Sequence, residues 1–464
     1  MTPTRRDLLQ STACGFGLLA LMDLLAGETR GADAPRSGAD PLAPKPPHFP
    51  AKAKRVIFLF MHGGPSQVDT FDYKPKLAAD HGKPLPFPKP RVVSSATGNL
   101  LKSPFAFKQH GQSGAWVSEL FPNIATRVDD LCFIKSMHGS NSRHGGALLE
   151  LHTGSDTFVR PSMGSWVAYG LGTENRDLPG YITICPTLTH GGLNNYSSAF
   201  LPAIYQATPL GTSGIPSDQV AVPFVKGTTP RSQQRLELDL LAGLDRDHRS
   251  GADPVLDARI QSFEMAFRMQ TAAPELQDLS KETDETKKLY GLDNPVTANF
   301  GRQCLMARRF AEAGVRFVQC THSYKWDQHE NLKADHTKNA KEVDKPIAGL
   351  LTDLKRRGLL KDTLVLWGGE FGRTPVAQGT DGRDHNPHAF TMFLAGGGVK
   401  PGISHGATDD YGYYSVEKKV HFHDLHATML HLLGLDHLKL TYRHAGRDFR
   451  LTDVHGEVVK EILA

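Results

Sequence analysis

A chain of 464 residues, 39% hydrophobic and 22% charged, has the balance of a globular protein, and its length admits one large domain with an insertion or two domains sharing a core. Wholesale disorder is excluded. The formal charge of +4 includes a basic start, and the body carries no lysine or arginine run, so nothing marks nucleic acid as a partner.

The chain opens on Thr4-Arg5-Arg6-Asp7-Leu8-Leu9, a twin-arginine export signal, followed by a small and apolar stretch over 11–26 that is too short to span a membrane stably. Ala32-Asp33-Ala34 supplies the small residues a signal peptidase reads. Removal of residues 1–34 is therefore expected, leaving a mature chain from Pro35 in the periplasm or cell envelope with no stable membrane span. An uncleaved anchor is the alternative. Cys14 stands too early in the stretch to act as a lipid-attachment cysteine.

Arg55-Val56-Ile57-Phe58-Leu59-Phe60-Met61 is the first apolar β-run, and it breaks into His62-Gly63-Gly64-Pro65-Ser66. Helical spacing over 121–128 leads to a second run, Leu131-Cys132-Phe133-Ile134, which ends in Ser136-Met137-His138-Gly139. From about 186 to 300 the alternation lapses. A Gly, Pro, Ser and Thr rich part gives way to charged helical spacing over 231–290, which reads as an inserted helical cap over the sheet, between core segments 35–185 and 301–464. An amphipathic helix over 302–313 then stops at Gly314 before the strand 315–320. A helix over 344–357 and Gly358 precede the strand 363–367, and the run 390–395 precedes Gly396-Gly397-Gly398. A last helix covers 423–433.

Strand and helix in alternation predict an α/β fold with a mostly parallel sheet and helices on both faces, whose ligands bind beyond the carboxyl ends of the strands. Cys132, Cys185, Cys304 and Cys320 form no close pair, so zinc-ribbon spacing is absent. Buried thiols are favoured over one or two disulfides.

The residues that follow the strands carry the chemistry. His62 follows the first, His138 and His144 the second, Asp327 and His329 the next, and Glu370 the one after, while Asp384, His385 and His388 precede the strand that comes next. Carboxylates and imidazoles suit zinc, manganese or iron, whereas calcium needs more oxygen donors. One or two divalent transition-metal ions, zinc or manganese, are therefore expected, with His62, Asp327, His329, Glu370, Asp384 and His385 as the ligand candidates. In Trp326-Asp327-Gln328-His329 the two ligand types stand two apart, so in an extended loop they point the same way; a solvated polar loop is the alternative.

Glu370, flanked by glycines, is poorly explained by core packing, and Arg373 is either its partner or a clamp for an anionic substrate. Asp384 stands where it can instead orient an imidazole from behind. Ser66 lies in a glycine-rich first loop that lacks the lysine and spacing of a phosphate loop, and a tight turn into a helix capped by Asp69 explains it equally well. Ser140, Ser142, Arg143 and His144 precede a helical run over 146–152, whose first N–H groups can cradle an oxyanion. Ser66, Ser140, Arg143, His144 and Arg373 are the catalytic candidates, with no hydroxyl singled out as nucleophile. Of His421, His423, His426 and His431, most read as structural, and His423 is the best outside candidate.

The strings Gly63-Gly64-Pro65-Ser66-Gln67-Val68-Asp69-Thr70-Phe71-Asp72, Trp326-Asp327-Gln328-His329, Gly369-Glu370-Phe371-Gly372-Arg373-Thr374-Pro375, Gly382-Arg383-Asp384-His385 and Ala395-Gly396-Gly397-Gly398 resemble the bacterial family of unknown function numbered 1501, often called sulfatase-like. The resemblance spans essentially the whole mature chain. It implies an alkaline-phosphatase-superfamily core, in which one or two metals serve the hydrolysis of phosphate or sulfate esters. By that resemblance Asp327 and His329 hold a metal. Glu370 stands where an Asp followed by His is expected, with Phe371 at the His position, and His62 stands where the first strand ends in a metal-binding Asp. The sulfatase Cys-x-Pro-Ser-Arg string is absent.

The expected function is metal-dependent hydrolysis of an anionic ester, sulfated glycans among the substrates, with Arg143 or Arg373 on the anionic group. The rival is a catalytically inert envelope protein that binds a sulfated glycan or a protein partner. A phosphoglycerate-mutase-like transferase is disfavoured by export to a compartment poor in sugar phosphates.

Overall fold

The computed structural model describes residues 40–88, 97–222, 229–247 and 254–464. The twin-arginine segment, Cys14 and the expected cleavage site lie outside them. In chain order the strands that shape the site are β1 (Arg55–Met61), β2 (Thr97–Leu100), β3 (Leu131–His138), β4 (Tyr181–Ile184), β5 (Thr208–Leu210), β6 (Phe317–His322), β7 (Thr363–Gly368), β8 (Gly372–Gln378), β9 (Gly382–Asn386), β10 (Phe390–Ala395), β11 (Ile403–His405) and β12 (Val420–His421). The longer helices are α1 (His144–Thr153), α2 (Met163–Leu171), α3 (Arg231–Asp247), α4 (Pro254–Gln277), α5 (Pro295–Glu312), α6 (Leu332–Arg356) and α7 (Phe422–Leu432).

The main sheet runs β11-β3-β10-β7-β1-β6-β4-β5, with β12 also on β3. β1 pairs parallel with both β6 and β7, while β10 is antiparallel to β7 and β3 and is the strand that breaks an otherwise parallel sheet. Every residue of β1, β6, β7 and β10 is buried, so both faces of the centre are covered, which is why β1, β7 and β10 read as largely apolar runs. Cys132, Cys185, Cys304 and Cys320 are buried free thiols. Among the described residues no helix is long and apolar enough to cross a membrane.

Some local expectations shift. The segment 121–128 forms only a tight 3-10 turn over Ile124–Asp130, and Asp344 on α6 accepts the Asn123 and Ile124 N–H groups at its start, at 2.9 and 2.8 Å. α6 starts twelve positions before the expected 344. Its buried His336, Asn339, Ala340, Val343, Ile347, Leu350, Leu351 and Leu354 keep one helical stripe through Pro346. Residues 372–386, to which the sequence assigned no strand, form the hairpin β8–β9, to which β2 adds a third strand. In its register Arg373 stands opposite His385.

The insert divides in two. α4 lies against α5 and the turn Ala203–Tyr205, with Arg268 donating to the Arg176 carbonyl at 2.8 Å and Gln277 to the Val220 carbonyl at 3.3 Å. The helical half thus packs on α5 and that turn, and among the described residues no hydrogen bond joins α3 or α4 to the cluster at the carboxyl ends. The earlier half does reach that cluster, through His190.

Candidate functional site

β1, β6 and β7 lie side by side and parallel, so the segments after them share one end of the sheet, and the β8–β9 hairpin folds back over the same end. Close approach of these segments depends on glycine. Gly63 has φ +119°, and a Cβ there would sit 2.7 Å from the Trp326 and Asp327 backbone; a Cβ on Gly382 would sit 1.8 Å from the His329 carbonyl oxygen. Neither position tolerates a side chain without pushing the Asp327 loop away.

Asp327 is the hub. Its Oδ1 lies 2.9 Å from His329 Nε2 and 3.1 Å from His385 Nε2, and its Oδ2 lies 3.2 Å from His144 Nε2. Each imidazole is turned inward by an outer acceptor on its other nitrogen. His144 Nδ1 donates to Glu370 Oε1 at 2.7 Å, His385 Nδ1 to the Ser142 carbonyl at 2.7 Å, and His329 Nδ1 to Gln378 Oε1 at 2.5 Å. A neutral ring that donates from Nδ1 presents a lone pair at Nε2. His329 and His385 present these nitrogens only 3.0 Å apart, and the buried His144 Nε2 finds no aligned hydrogen-bond partner. Inward lone pairs around a carboxylate, each fixed from behind, form the donor pattern of a transition-metal site. The residues present fit such an ion.

The electrostatics agree. Burial resists charge on Asp327, yet the three imidazoles gathered on it, His144, His329 and His385, and the neighbouring Arg373 hold its carboxyl far below the usual range. Burial also opposes protonation of His144, but Asp327 and Glu370 lift it to about 9. Asp327 raises His329, whereas burial lowers His385. A cluster that draws protons toward Asp327 draws a cation for the same reason.

The other expected residues take up different positions around this hub. Glu370, expected as a ligand, is fully buried and spends both oxygens on the Gly63 N–H, at 3.0 and 3.2 Å, and one of them on His144. It holds His144 from behind, and His144, expected as catalytic, turns its other nitrogen toward Asp327. His62, also expected as a ligand, accepts the Tyr324 N–H at Nδ1 (3.1 Å), so its proton sits on Nε2, which faces His190 Nδ1 at 3.4 Å. Burial presses its pKa down to about 4. Asp384 is buried, accepts the His385 N–H at 2.8 Å, and stays within ligand reach of His329 and His385.

Arg373, expected to clamp an anion, is fully buried and committed: it donates to the Gly64 and Trp326 carbonyls at 3.0 Å each, to the Gly63 carbonyl, and to Asp327 Oδ1 at 2.6 Å. It ties the first loop to the Asp327 loop. Ser66, expected as a nucleophile candidate, is buried and donates its hydroxyl to Asp69 at 2.5 Å. Asp69 in turn takes a two-pronged ion pair from the buried Arg383, at 2.7 and 3.2 Å. Ser140 Oγ lies 3.0 Å from His421 Nε2, in a different group of imidazoles. That nitrogen carries the proton, because His421 Nδ1 accepts the His423 N–H, so it cannot serve Ser140 as a base. Arg143 is exposed and, among the described residues, has no ion-pair partner.

Two site residues escaped the reading of the sequence. His190, from the insert, stacks on His144 at 4.8 Å; Tyr324 donates its hydroxyl to Asp327 Oδ2 at 3.1 Å and contacts the His62, His144 and His190 rings. Both hold positive φ, +51° and +44°, a conformation costing about 1–3 kcal/mol outside glycine that marks residues kept in place by their surroundings. The only sequence signals were a histidine before Gly191-Gly192 and a tyrosine two places past a strand.

Among solved structures the chain is similar to the lipoteichoic acid synthase LtaP from Listeria monocytogenes (11% identity, 85% of this chain and 77% of that one, TM-score 0.35). It is also similar to the alkaline phosphatase of the Antarctic bacterium TAB5 (11%, 82% and 98%, 0.33) and to the PsFucS1 sulfatase from Pseudoalteromonas sp. (14%, 83% and 68%, 0.34). No curated protein matches the sequence. Residues 53–463 match the family described as Protein of unknown function (DUF1501), and the chain belongs to that family.

Proposed function

We propose that the chain is an exported, metal-dependent hydrolase of phosphate or sulfate esters, sent by the twin-arginine route to the periplasm or cell envelope. The observation that carries this reading is the convergence of three Nε2 atoms, each with its Nδ1 proton held from behind, on the Asp327 carboxylate. His144, Asp327, His329 and His385 would hold the ion, and Asp384 is within reach; such mixed N,O donors suit zinc or manganese. When bound, the ion supplies Lewis acidity toward the ester oxygen.

The chain's own groups do the rest. Glu370 keeps the His144 lone pair inward, and Arg373 fixes the carboxylate. Arg143 stands at the start of α1, where unpaired N–H groups and the helix dipole favour an anionic ester group. Hydrolysis of 4-nitrophenyl phosphate and 4-nitrophenyl sulfate by the purified mature chain, with and without chelator and with zinc or manganese restored, tests the reading. A well-folded chain that binds no metal and turns over neither ester would sink it.

One observation favours a second reading, that of an inert envelope protein binding a sulfated glycan. Among the described residues no serine, threonine or cysteine side chain hydrogen-bonds into the Asp327 cluster, and Ser66 and Ser140 are engaged elsewhere. Normal glycan binding by Glu370→Ala, with no turnover by the parent, would support this rival.

A further inference from the structure

We infer that the chain holds a single ion, at Asp327, and that His62 and His190 brace His144 instead of binding a second ion. The inference rests on the metal reading above and adds to it a count and a role for the insert.

Three groups with ligand character overlap here, and the one of His329, Asp384 and His385 shares both imidazoles with the Asp327 cluster and so is part of the same site. That site is built on Asp327; the other is His62, His144 and His190, whose nitrogens lie within 4.8 Å of one another. By residue type the second group, with three imidazoles, matches a zinc site. Proton positions separate the two. A main-chain N–H only donates, so the Tyr324 N–H, 3.1 Å away, fixes His62 Nδ1 as an acceptor. The single proton of the neutral ring then lies on Nε2, the nitrogen that faces His190. To bind an ion there, His62 would have to give up its last proton beside the Glu370 carboxylate, whose charge opposes that loss. Nor can His144 serve both groups, because its Nδ1 proton is held by Glu370 and its one remaining nitrogen faces Asp327. His190 is left without a second ligand.

What the pair does instead is mechanical. His62 meets the His144 ring edge-on at 6.0 Å, His190 stacks on it at 4.8 Å and 19°, and Phe371 closes in at 4.8 Å. Rings on several sides fix the plane of His144 and hence the direction of its Nε2. Since His190 comes from the insert, that segment contributes to ion binding by contact.

The test uses the mature chain stripped of metal and titrated with zinc, with bound zinc counted by elemental analysis after desalting and affinity taken from competition with a chelating dye. One ion per chain is expected. His190→Ala should still bind one ion, about 10–100-fold more weakly, the range for loss of a group that orients a ligand. His190→Phe, which keeps a ring against His144 but offers no nitrogen, should bind one ion with affinity near the parent's, and this variant separates bracing from ligation even if the alanine variant folds poorly. Two ions in the parent, one of them lost in His190→Phe, would overturn the inference while leaving the metal reading intact. No ion in the parent would overturn both.

Discussion

Two groups of imidazoles occupy the same end of the sheet and behave differently. Around Asp327, each ring gives its Nδ1 proton to an outer acceptor and turns Nε2 toward a shared carboxylate. Beyond β3, His138, His421, His423 and His455 form a row with ring centroids 4.8–5.0 Å apart; Glu150 accepts the Ser140 N–H and pairs with His421 alone, at 3.2 Å, and Asp424 accepts the N–H groups of His421 and Glu457. The first group converges on a point; the second stacks along a line. Ligand-type residues in company do not make a metal site unless their lone pairs meet.

The sharpest way to break this contrast is to remove each hub. Asp327→Asn should abolish zinc binding in equilibrium dialysis, whereas His423→Phe should leave it at the parent level; equal loss in both would erase the distinction. Next in size is the buried Asp69–Arg383 pair, which anchors the hairpin carrying His385. Arg383→Met leaves Asp69 charged without its partner and should cost about 3–5 kcal/mol in urea unfolding. Glu370→Gln should weaken zinc affinity by about 10–100-fold while one ion still binds, as expected of a group behind a ligand. Loss of the ion altogether would restore Glu370 to the ligand set.

Acid and alkali should separate the regions by sign. Burial holds His138 and His423 at about 4 in the folded chain, below the ordinary 6.5, so the unfolded chain takes up protons first. The stability they leave intact above pH 6.5 is lost as pH falls toward 4. His144 in the ion-free chain is raised to about 9, so its contribution is full below pH 6.5 and is lost as pH rises through 9. Thermal melts across pH should show His423→Phe flattening the acid limb and His144→Gln flattening the alkaline one. Ser140→Ala, the smallest effect, should leave ester turnover unchanged.

Much of this was legible because buried parallel strands announce themselves as apolar runs and each deposits its next residues at the same end. Asp327 and His329, read as following a strand, and His385, read as preceding one, do meet at that end. The position of Glu370 behind His144 was not legible, because residue type at a strand end does not say which way a carboxylate faces, and His144 lies 226 positions away. Arg373 looked like an anion clamp, yet its obligations are to carbonyl groups, which leave no trace in a side-chain pattern. His190 sits where strand and helix periodicity lapse. The β8–β9 hairpin, with glycine and proline in place of alternating apolar residues, gave no strand signal.

The most direct test is a crystal structure of the zinc-loaded chain with anomalous diffraction recorded at the zinc edge. The account predicts one peak at about 2.0–2.2 Å from Nε2 of His144, His329 and His385 and from an Asp327 oxygen, the usual range for zinc with these donors. A peak seated between His62 and His190, or an empty Asp327 cluster in a zinc-saturated crystal, would contradict it.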